Sequence, residues 1–508
     1  MTPIWTIETP TPVRLHVTPG LRYEVLVVGG GLTGLVTALL LAEHGVECAV
    51  LESGRIGAGT TGASTAKISL LQGVRAQQIR RRHSERMLRA YLQANHEAHQ
   101  WLRQFCESRD VAIQNADAFT YAQSDRELAA VRREYDVLRA AGLPVELVGT
   151  LDTPFPVAGA VRLGDQSQVN PMPLLTVLAA EVESHGIPIY ESSPVRAVSS
   201  GSGNEQLVET AHGVVRASTV VLATGTPILD RGGFFARLVP QRSYLTAYRL
   251  SDPIPSGMYI SAGQPTRSVR SIPDPDGEVL LVGGNGHVVG RQDRTAEAVA
   301  ELITWTAQWF PGATPLTSWS AQDYHPTGEL PFAGSLLPGR DEILLGTGYA
   351  KWGLTNGVAA AHLLVGQLTG RTPDWSQAFA TWRLFDWKSL PAALRANAGV
   401  AQQFSSGWLG AARAAPDTAT PREGTGRVER HLPCPAATST VDGTTTTVSA
   451  VCPHLAGIVR WNPAERSWDC PLHGSRFAAD GSLLEGPATR SLPQLTSSST
   501  AAAPKSER

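Results

Sequence analysis

Residues 23–53, YEVLVVGGGLTGLVTALLLAEHGVECAVLES, decide the fold of the first part of the chain. Residues 25–28 form an apolar run short enough for a buried parallel strand, and glycines follow it in the spacing G-x-G-x-x-G. Residues 32–44 predict a helix, and CAVLE predicts a second strand that ends at Glu52. The order strand, glycine turn, helix, strand is typical of a Rossmann-like dinucleotide-binding unit.

Each part of this unit can hold a dinucleotide. Gly29 permits the tight turn, Gly31 lets the backbone approach a pyrophosphate, and Gly34 lets the helix pack on the strand. The helix N-terminus offers N–H groups to the phosphates, and Glu52 can accept hydrogen bonds from ribose hydroxyls. A glycine turn without a ligand is the alternative, but strand, helix and terminal acid all stand where a dinucleotide needs them.

Three later segments favour FAD over NAD. GRIGAGTTGASTAKISLLQG (54–73) follows the second strand and can run past a pyrophosphate to a flavin ring. STVVLATGTP (218–227) is an apolar strand that ends near Thr224 and Gly225. EILLGTGYAKWGLTNGVAAAHLL (342–364) predicts a strand, a glycine loop and a helix that starts near Leu354, and the dipole of that helix can stabilise a reduced flavin.

Composition excludes several classes of protein. At 508 residues the chain is too long for one core, so two or three domains are expected. A net charge of -2 gives no basic footprint for nucleic acid, and no window approaches the roughly 20 apolar residues of a membrane span. The N-terminus lacks the pattern of a secretory signal, so we expect a cytoplasmic protein with neither a nucleic-acid partner nor a membrane span.

The motifs quoted above resemble the D-amino-acid oxidase and glycine oxidase superfamily of FAD-dependent oxidoreductases, over roughly residues 20–370. The resemblance implies an α/β (α+β) flavoprotein, in which a Rossmann-like FAD-binding domain is interleaved with an antiparallel-sheet substrate domain. We therefore expect residues 1–78, 165–233 and 318–372 to bind FAD and residues 79–164 and 234–317 to form the substrate domain. Residues 80–109 read as one long helical pattern within the latter.

The resemblance also implies which residues lie against non-covalent FAD: Gly29, Gly31, Gly34, Glu52, Thr65, Ala66, Val195, Thr224, Gly225, Gly348, Gly353, Leu354 and Thr355. His325 lies where some relatives attach flavin through a cysteine, and no cysteine is present there. We therefore expect dissociable FAD and interpret His325 as an ordinary loop histidine.

Lys351 and Lys67 are the candidate catalytic residues. Only four of the 43 basic residues are lysines, and these two fall inside flavin motifs, which suggests that a compact ammonium is needed there. In related amino-acid oxidases the loop around Lys351 carries the cation that anchors the substrate carboxylate, while Lys67 can tune the flavin. Two surface or pyrophosphate-side lysines are the alternative. Further candidates for the pocket, not ranked by the sequence, are Arg242, Tyr244 and Tyr248.

The C-terminal part contains Cys452-x-His454 and, fifteen residues on, Cys470-x-x-His473. Four Cys and His side chains suggest zinc, but a cysteine and a histidine in each loop suit two adjacent irons better. CPHLAG, CPLHGSRF and GPA resemble the Rieske [2Fe–2S] domain over 427–495, which would be small and all-β. A helical or linker segment at 373–426 would precede it and a disordered tail at 496–508 would follow it.

Two departures from high-potential Rieske proteins predict a low to middle reduction potential. Where those proteins carry an extra cysteine in each loop, forming a disulfide, this chain has Ala456 and Leu472. Phe477 stands where they carry a tyrosine that bonds a ligand sulfur, while Ser475 can still bond a bridging sulfide. Fewer hydrogen bonds to sulfur stabilise the reduced cluster less.

Together the two halves predict a dehydrogenase that oxidises an amine or amino acid by hydride transfer to flavin N5 and passes electrons singly through the cluster to an external one-electron acceptor. An oxygen-using oxidase with a structural or regulatory cluster is one alternative. A redox-sensing or docking Rieske module on a catalytically quiet flavoprotein is another.

Overall fold

The computed structural model describes residues 1–8, 12–203, 205–274, 277–383, 390–414 and 419–495. The tail predicted at 496–508 lies outside these residues, as do Lys388 and Lys505. The chain divides into two compact units, Met1–Gly399 and Val400–Arg508.

The α-helices of the described residues are α1 (Ile4–Glu8), α2 (Leu32–Glu43), α3 (Arg75–Arg82), α4 (Glu85–Ser108), α5 (Asp125–Ala140), α6 (Pro171–Ser184), α7 (Thr295–Trp309), α8 (Gly353–Thr369) and α9 (Leu390–Arg413). The long helical pattern at 80–109 is wrong as a single helix. It is divided between α3 and α4, because Ser84 accepts a hydrogen bond from the N–H of Met87 at 3.3 Å and caps the second helix.

The strands of the first unit are β1 (Arg22–Val28), β2 (Cys48–Leu51), β3 (Lys67–Ile68), β4 (Ile113–Ala122), β5 (Glu146–Val148), β6 (Gly159–Val169), β7 (Ile189–Tyr190), β8 (Val195–Ser200), β9 (Gln206–Thr210), β10 (Gly213–Leu222), β11 (Leu238–Arg249), β12 (Met258–Ser261), β13 (Arg267–Asp274), β14 (Gly277–Val288), β15 (Thr314–Pro326), β16 (Phe332–Leu337) and β17 (Arg340–Thr347). The second unit contains β18 (Gly426–Glu429), β19 (Ala436–Val441), β20 (Thr444–Ser449), β21 (Arg460–Asn462), β22 (Ser467–Asp469), β23 (Arg476–Ala478) and β24 (Leu483–Glu485).

The first sheet brings the glycine turn and the later flavin motifs to one edge. Strands β17, β10, β1, β2 and β7 are parallel neighbours in that order, with β16 and β9 added antiparallel. Val28 of β1 is in register with Leu51 of β2 and Leu222 of β10, which is itself in register with Leu345 of β17. The segments that follow these four strands therefore leave the same carboxyl edge, where parallel sheets bind ligands.

The second sheet has the order β15-β11-β14-β13-β12-β4-β6-β3, with β5 beside β6. All its pairs are antiparallel except β12 with β4. The domain limits expected at residues 164 and 317 fall inside β6 and β15, so both strands belong to this sheet along their whole length.

The second unit contains two small antiparallel sheets, β18-β19-β20 and β21-β22-β23-β24. Their shared core includes Trp468 and Phe477, both fully buried, beside Cys452 and Cys470. This confirms the expected small all-β domain, and the mixed first unit confirms the expected flavoprotein architecture. Among the helices of the described residues, none combines the length and apolar character needed to cross a bilayer.

Candidate flavin site and iron–sulfur centre

Two glycines of the turn after β1 are explained by protein contacts, and the third is not. A Cβ on Gly29, whose φ is 114°, would lie 2.5 Å from the Ala223 carbonyl oxygen, and one on Gly34 would lie 1.9 Å from the Gly29 oxygen. A Cβ on Gly31 would meet only the Thr61 hydroxyl, at 3.3 Å. The space beside Gly31 is a cradle that a side chain would fill, as backbone approach to a pyrophosphate requires. The residues present therefore fit FAD.

Glu52 binds the glycine turn from the end of β2. Its carboxylate accepts hydrogen bonds from the N–H groups of Gly30, at 2.7 Å, and Gly54, at 2.8 Å. The side chain is half-buried; Oε1 also accepts from the Ser53 hydroxyl at 3.1 Å, and Oε2 has a second lone pair. Glu52 can therefore hold the turn and still accept a hydrogen bond from a ribose hydroxyl.

The stretch at 60–66 has no regular structure of its own, and buried side chains fix its backbone. The indoles of Trp5 and Trp319 donate to the carbonyls of Ser64 and Ala63, both at 2.9 Å. The Arg270 guanidinium donates to the carbonyl of Thr65. Ala66 takes a left-handed conformation, with φ of 49°. Thr65 and Ala66 thus lie on a rigid, shaped backbone rather than on a loose loop.

The remaining predicted flavin residues follow strands of the first sheet. Gly225 (φ 77°) comes after β10, and its carbonyl accepts a hydrogen bond from the Thr347 hydroxyl at the end of β17. Gly348 (φ 79°) continues from β17 towards α8, which begins at Gly353, Leu354 and Thr355 with no side-chain cap. An uncapped helix start leaves N–H groups available for a ligand. Val195 is buried at the start of β8, and Thr224 bonds the Thr226 carbonyl.

The two predicted catalytic lysines line one cavity that opens to solvent. Lys351 has a left-handed backbone, with φ of 72°, and its Nζ donates to the Ser243 hydroxyl at 2.7 Å. Its backbone N–H donates to the Asp323 carboxylate. Lys351 is exposed as a residue, and its ammonium end lies in the cavity beside Ser243. Desolvation of that end lowers its pKa, and the Asp323 carboxylate opposes that shift.

Lys67 lies in β3 on the wall of the same cavity and is only 8% exposed. Its Nζ donates to the Ser268 hydroxyl on β13. Burial lowers its pKa to about 7, and the nearby Arg270 guanidinium acts in the same direction. The two lysines therefore share a cavity but have different electrostatic surroundings.

Three polar residues that interact with the two lysines of this cavity were missed from the sequence: Ser243, Ser268 and Asp323. They lie on three different strands, β11, β13 and β15, and only the sheet topology brings them together. Tyr244 is part of the cavity wall, as considered, while Arg242 and Tyr248 are buried outside the described lining. The Nε2 of His325 is buried and has no hydrogen-bond partner among the described residues, and desolvation places its pKa well below the usual value.

The two Cys–His loops of the second unit share one backbone design. The N–H of Cys452 donates to the Gly457 carbonyl and the N–H of Cys470 to the Ser475 carbonyl, each at 2.8 Å. In each loop the residue four positions after the cysteine is left-handed, with φ of 54° at Ala456 and 82° at Gly474. The four predicted ligands thus come from two matching turns.

The ligands form a thiol pair and an imidazole pair. A hydrogen bond with Cys470 lowers the pKa of Cys452 and raises that of Cys470. The rings of His454 and His473 have centroids 5.1 Å apart, at 87°. Among the described residues no three His, Cys, Asp or Glu side chains converge as a single ion would require. Two separate pairs fit the donor set of a two-iron cluster, with cysteines on one iron and histidines on the other.

The sequence predicted Ala456 as the residue paired with Leu472, but the structure places Gly457 against Leu472. A Cβ on Gly457, not Ala456, would touch the Leu472 side chain, at 2.7 Å, and would lie 3.0 Å from the Cys470 sulfur. Gly457 and Leu472 therefore occupy the places where a second cysteine pair would meet. The Ser475 side chain bonds the Cys452 thiol and lowers its pKa, and it also accepts from the N–H of Ala488 at 3.0 Å, just after Gly486 and Pro487.

Fold and site together define a flavoprotein oxidoreductase with an appended iron–sulfur domain. The family described as FAD dependent oxidoreductase (DAO) matches residues 24–367, and the Rieske [2Fe-2S] domain matches residues 424–496. The chain belongs to the DAO family of FAD-dependent oxidoreductases, and its C-terminal part is a Rieske domain. Its cofactors are FAD and a [2Fe–2S] cluster.

Individual proteins resemble the whole chain or its first unit. YhfW of Bacillus subtilis (strain 168), which is named as a Rieske 2Fe-2S iron-sulfur protein, is 27% identical over 97% of both chains. Glycine oxidase from Geobacillus kaustophilus has a TM-score of 0.60 at 21% identity and covers 72% of this chain and 100% of its own. L-proline dehydrogenase from P. horikoshii has a TM-score of 0.58 at 18% identity, with 71% and 97% covered.

Proposed function

We propose that the protein is a dehydrogenase that oxidises an amine or amino acid at FAD and delivers the electrons singly, through its [2Fe–2S] cluster, to an external acceptor. The observation that carries this proposal is the complete set of two thiols and two imidazoles on the same chain as the flavin fold. When bound, FAD supplies two-electron oxidation and the cluster supplies one-electron transfer. One chain would thus join two-electron oxidation of a substrate to one-electron transfer to an acceptor.

The substrate class is supported by the cavity beside the flavin motifs. Lys351 presents an ammonium group to it, and the Ser243 hydroxyl fixes that group at 2.7 Å. A Cβ on Gly286 would lie 2.8 Å from the Lys351 Nζ, so the glycine keeps room for this pair. A fixed cation in a partly desolvated cavity suits a substrate carboxylate. Small amino acids are therefore the first compounds to test.

Two properties of the cofactors are expected: FAD without a covalent bond to the protein, and a cluster of low to middle reduction potential. The described residues that line the cavity include no cysteine, which favours FAD held without a covalent bond. The cluster potential is expected in the low to middle Rieske range, because Phe477 lacks a hydroxyl. A cytoplasmic location stays a prediction from the sequence.

Anaerobic titration of the holoprotein with a panel of amino acids and amines tests this function. Flavin bleaching followed by cluster bleaching is the expected result, read by absorbance and by electron paramagnetic resonance of the reduced cluster. A flavin that bleaches while the cluster stays oxidised, and that oxygen reoxidises quickly, would instead support an oxidase. A panel in which no compound bleaches a fully FAD-loaded protein would contradict the enzymatic proposal and favour a sensing or docking module.

A further inference from the structure

We propose that Lys67 is the base that takes the proton from the substrate ammonium, while Lys351 remains charged and anchors the substrate carboxylate. The inference rests on the proposed oxidation of an amino acid or amine and assigns two separate roles within it. An amine must lose this proton before its nitrogen lone pair can assist cleavage of the neighbouring C–H bond. The question is therefore which group in the cavity can accept a proton at neutral pH.

Lys67 is placed to meet a substrate and is poorly placed to hold a charge. It lies on the cavity wall, and its side chain is otherwise enclosed. Among the residues that the structure describes, the Lys67 Nζ donates a hydrogen bond to the neutral hydroxyl of Ser268 and to no carboxylate. Burying an ammonium without an anion disfavours the charged form.

Arg270 adds a fixed positive charge beside Lys67. Its guanidinium donates to the carbonyls of Thr65, Val169 and Ser271, and it lies 5.6 Å from the centroid of the Trp5 ring. Burial lowers its pKa to about 9, which leaves it charged at neutral pH. Because these contacts are to neutral groups, the charge of Arg270 is not cancelled and repels a proton on Lys67.

Lys351 differs from Lys67 because a carboxylate lies near its side chain. Its backbone is bonded to the Asp323 carboxylate, and that carboxylate favours the protonated side chain. Asp323, Lys351, Lys67 and the phenol of Tyr244 are the titratable side chains among the described residues that line the cavity, and Arg270 lies near Lys67. Asp323 favours a proton on Lys351 and Arg270 disfavours one on Lys67, and such contrasting neighbours are arranged as an acid and base pair would be.

The pKa values agree with this geometry. Burial and the Arg270 charge lower the pKa of Lys67 to about 7, so the neutral amine is well populated at physiological pH. In the proposed step one N–H bond of the substrate ammonium breaks and one N–H bond forms on the Lys67 amine. The substrate becomes a neutral amine, Lys67 becomes an ammonium, and no electrons leave the pair until the C–H bond is oxidised by FAD. Ser268 positions the Lys67 Nζ but does not react.

Competitive labelling of the holoprotein tests the base directly, without a substrate. With only four lysines in the chain, trace acetic anhydride followed by peptide mass spectrometry resolves each amine, with Lys388 and Lys505 as references within the chain. From about pH 5 to about pH 10, we expect the reactivity of Lys67 to rise with a midpoint near 7 and that of Lys351 to rise later. A Lys67 midpoint near the usual lysine value, or no reaction of Lys67 at any pH, would overturn the proposal.

Stopped-flow reduction of the flavin then tests the role. For the compound that bleaches the wild type best, K67R should reduce about 100-fold more slowly at pH 7 and recover as pH approaches the pKa of the substrate ammonium. K388R is the matched Lys-to-Arg control and should follow the wild type. A K67R loss that is equal at all pH values would overturn the base assignment and leave a structural lysine.

The two proposals fail in different ways. A high Lys67 midpoint together with a panel compound that bleaches flavin and cluster would overturn this inference and keep the dehydrogenase. A low midpoint together with no bleaching by any compound would overturn the amine substrate, and the role of Lys67 with it.

Discussion

Replacing Gly31 and Gly34 separately by alanine should distinguish a cofactor site from a turn that merely needs glycine. Gly31 has an allowed extended conformation, φ -81° and ψ -175°, and its Cβ would meet only Thr61. Alanine at this N-cap should cost the apoprotein about 1 kcal/mol or less. The same Cβ points into the space required by the pyrophosphate, where overpacking costs about 1–3 kcal/mol. The FAD dissociation constant should therefore rise by about 5- to 150-fold.

Gly34→Ala is the matched contrast. Its Cβ would lie 1.9 Å from the Gly29 oxygen, about 1.5 Å short of ordinary contact at 3.4 Å, and backbone on both sides must move. We expect it to lower both the thermal stability of the apoprotein and FAD binding.

The assay is equilibrium FAD binding by flavin fluorescence on apoprotein, beside thermal unfolding of the same samples. The reasoning is refuted if Gly31→Ala binds FAD as tightly as the wild type. It is also refuted if Gly31→Ala destabilises the apoprotein as much as Gly34→Ala does.

Three further experiments test other parts of the molecule. Lys351→Met should raise KM for a carboxylate-bearing substrate by about 10- to 150-fold, because a charge-assisted hydrogen bond is lost. The KM for an amine without a carboxylate should stay nearly unchanged. Equal increases for both substrates would contradict an anchoring role. Phe477→Tyr adds a hydroxyl in the core that contains Cys452 and Cys470, so it should raise the cluster potential in voltammetry. Ser475→Ala removes a hydroxyl and should lower the potential. Unchanged potentials in both variants would rule out hydrogen bonding as the cause of the expected low potential. Glu134 is 1% exposed, and burial raises its pKa to about 7 although it accepts hydrogen bonds from the N–H groups of Ala76 and Gln77. The pKa of Glu134 in the folded protein lies above the usual 4.5, so the free energy of unfolding should fall by roughly 3 kcal/mol as pH rises from about 4.5 to about 7. Urea unfolding of Glu134→Gln should show a flatter pH dependence. An equally steep dependence in the variant would contradict this.

The sequence by itself determined both cofactor folds. The strand before Gly29, the helix after Gly31 and the acid at Glu52 are local features, and their spacing along the chain is what a dinucleotide unit requires. The predicted Rieske ligands are equally local, because each Cys–His pair lies in one short turn. Local patterns of this kind are readable without the tertiary structure.

The tertiary structure alone decided the polar surroundings of the cavity. Lys67 and Ser268 are far apart in sequence and lie on non-adjacent strands of the second sheet, yet their side chains form a hydrogen bond in the folded chain. Gly457 of the first Cys–His loop faces Leu472 of the second, a contact between loops that are separate in the sequence. Long-range contacts depend on how sheets twist and pack, and the pKa of a buried lysine depends on neighbours that no local pattern names.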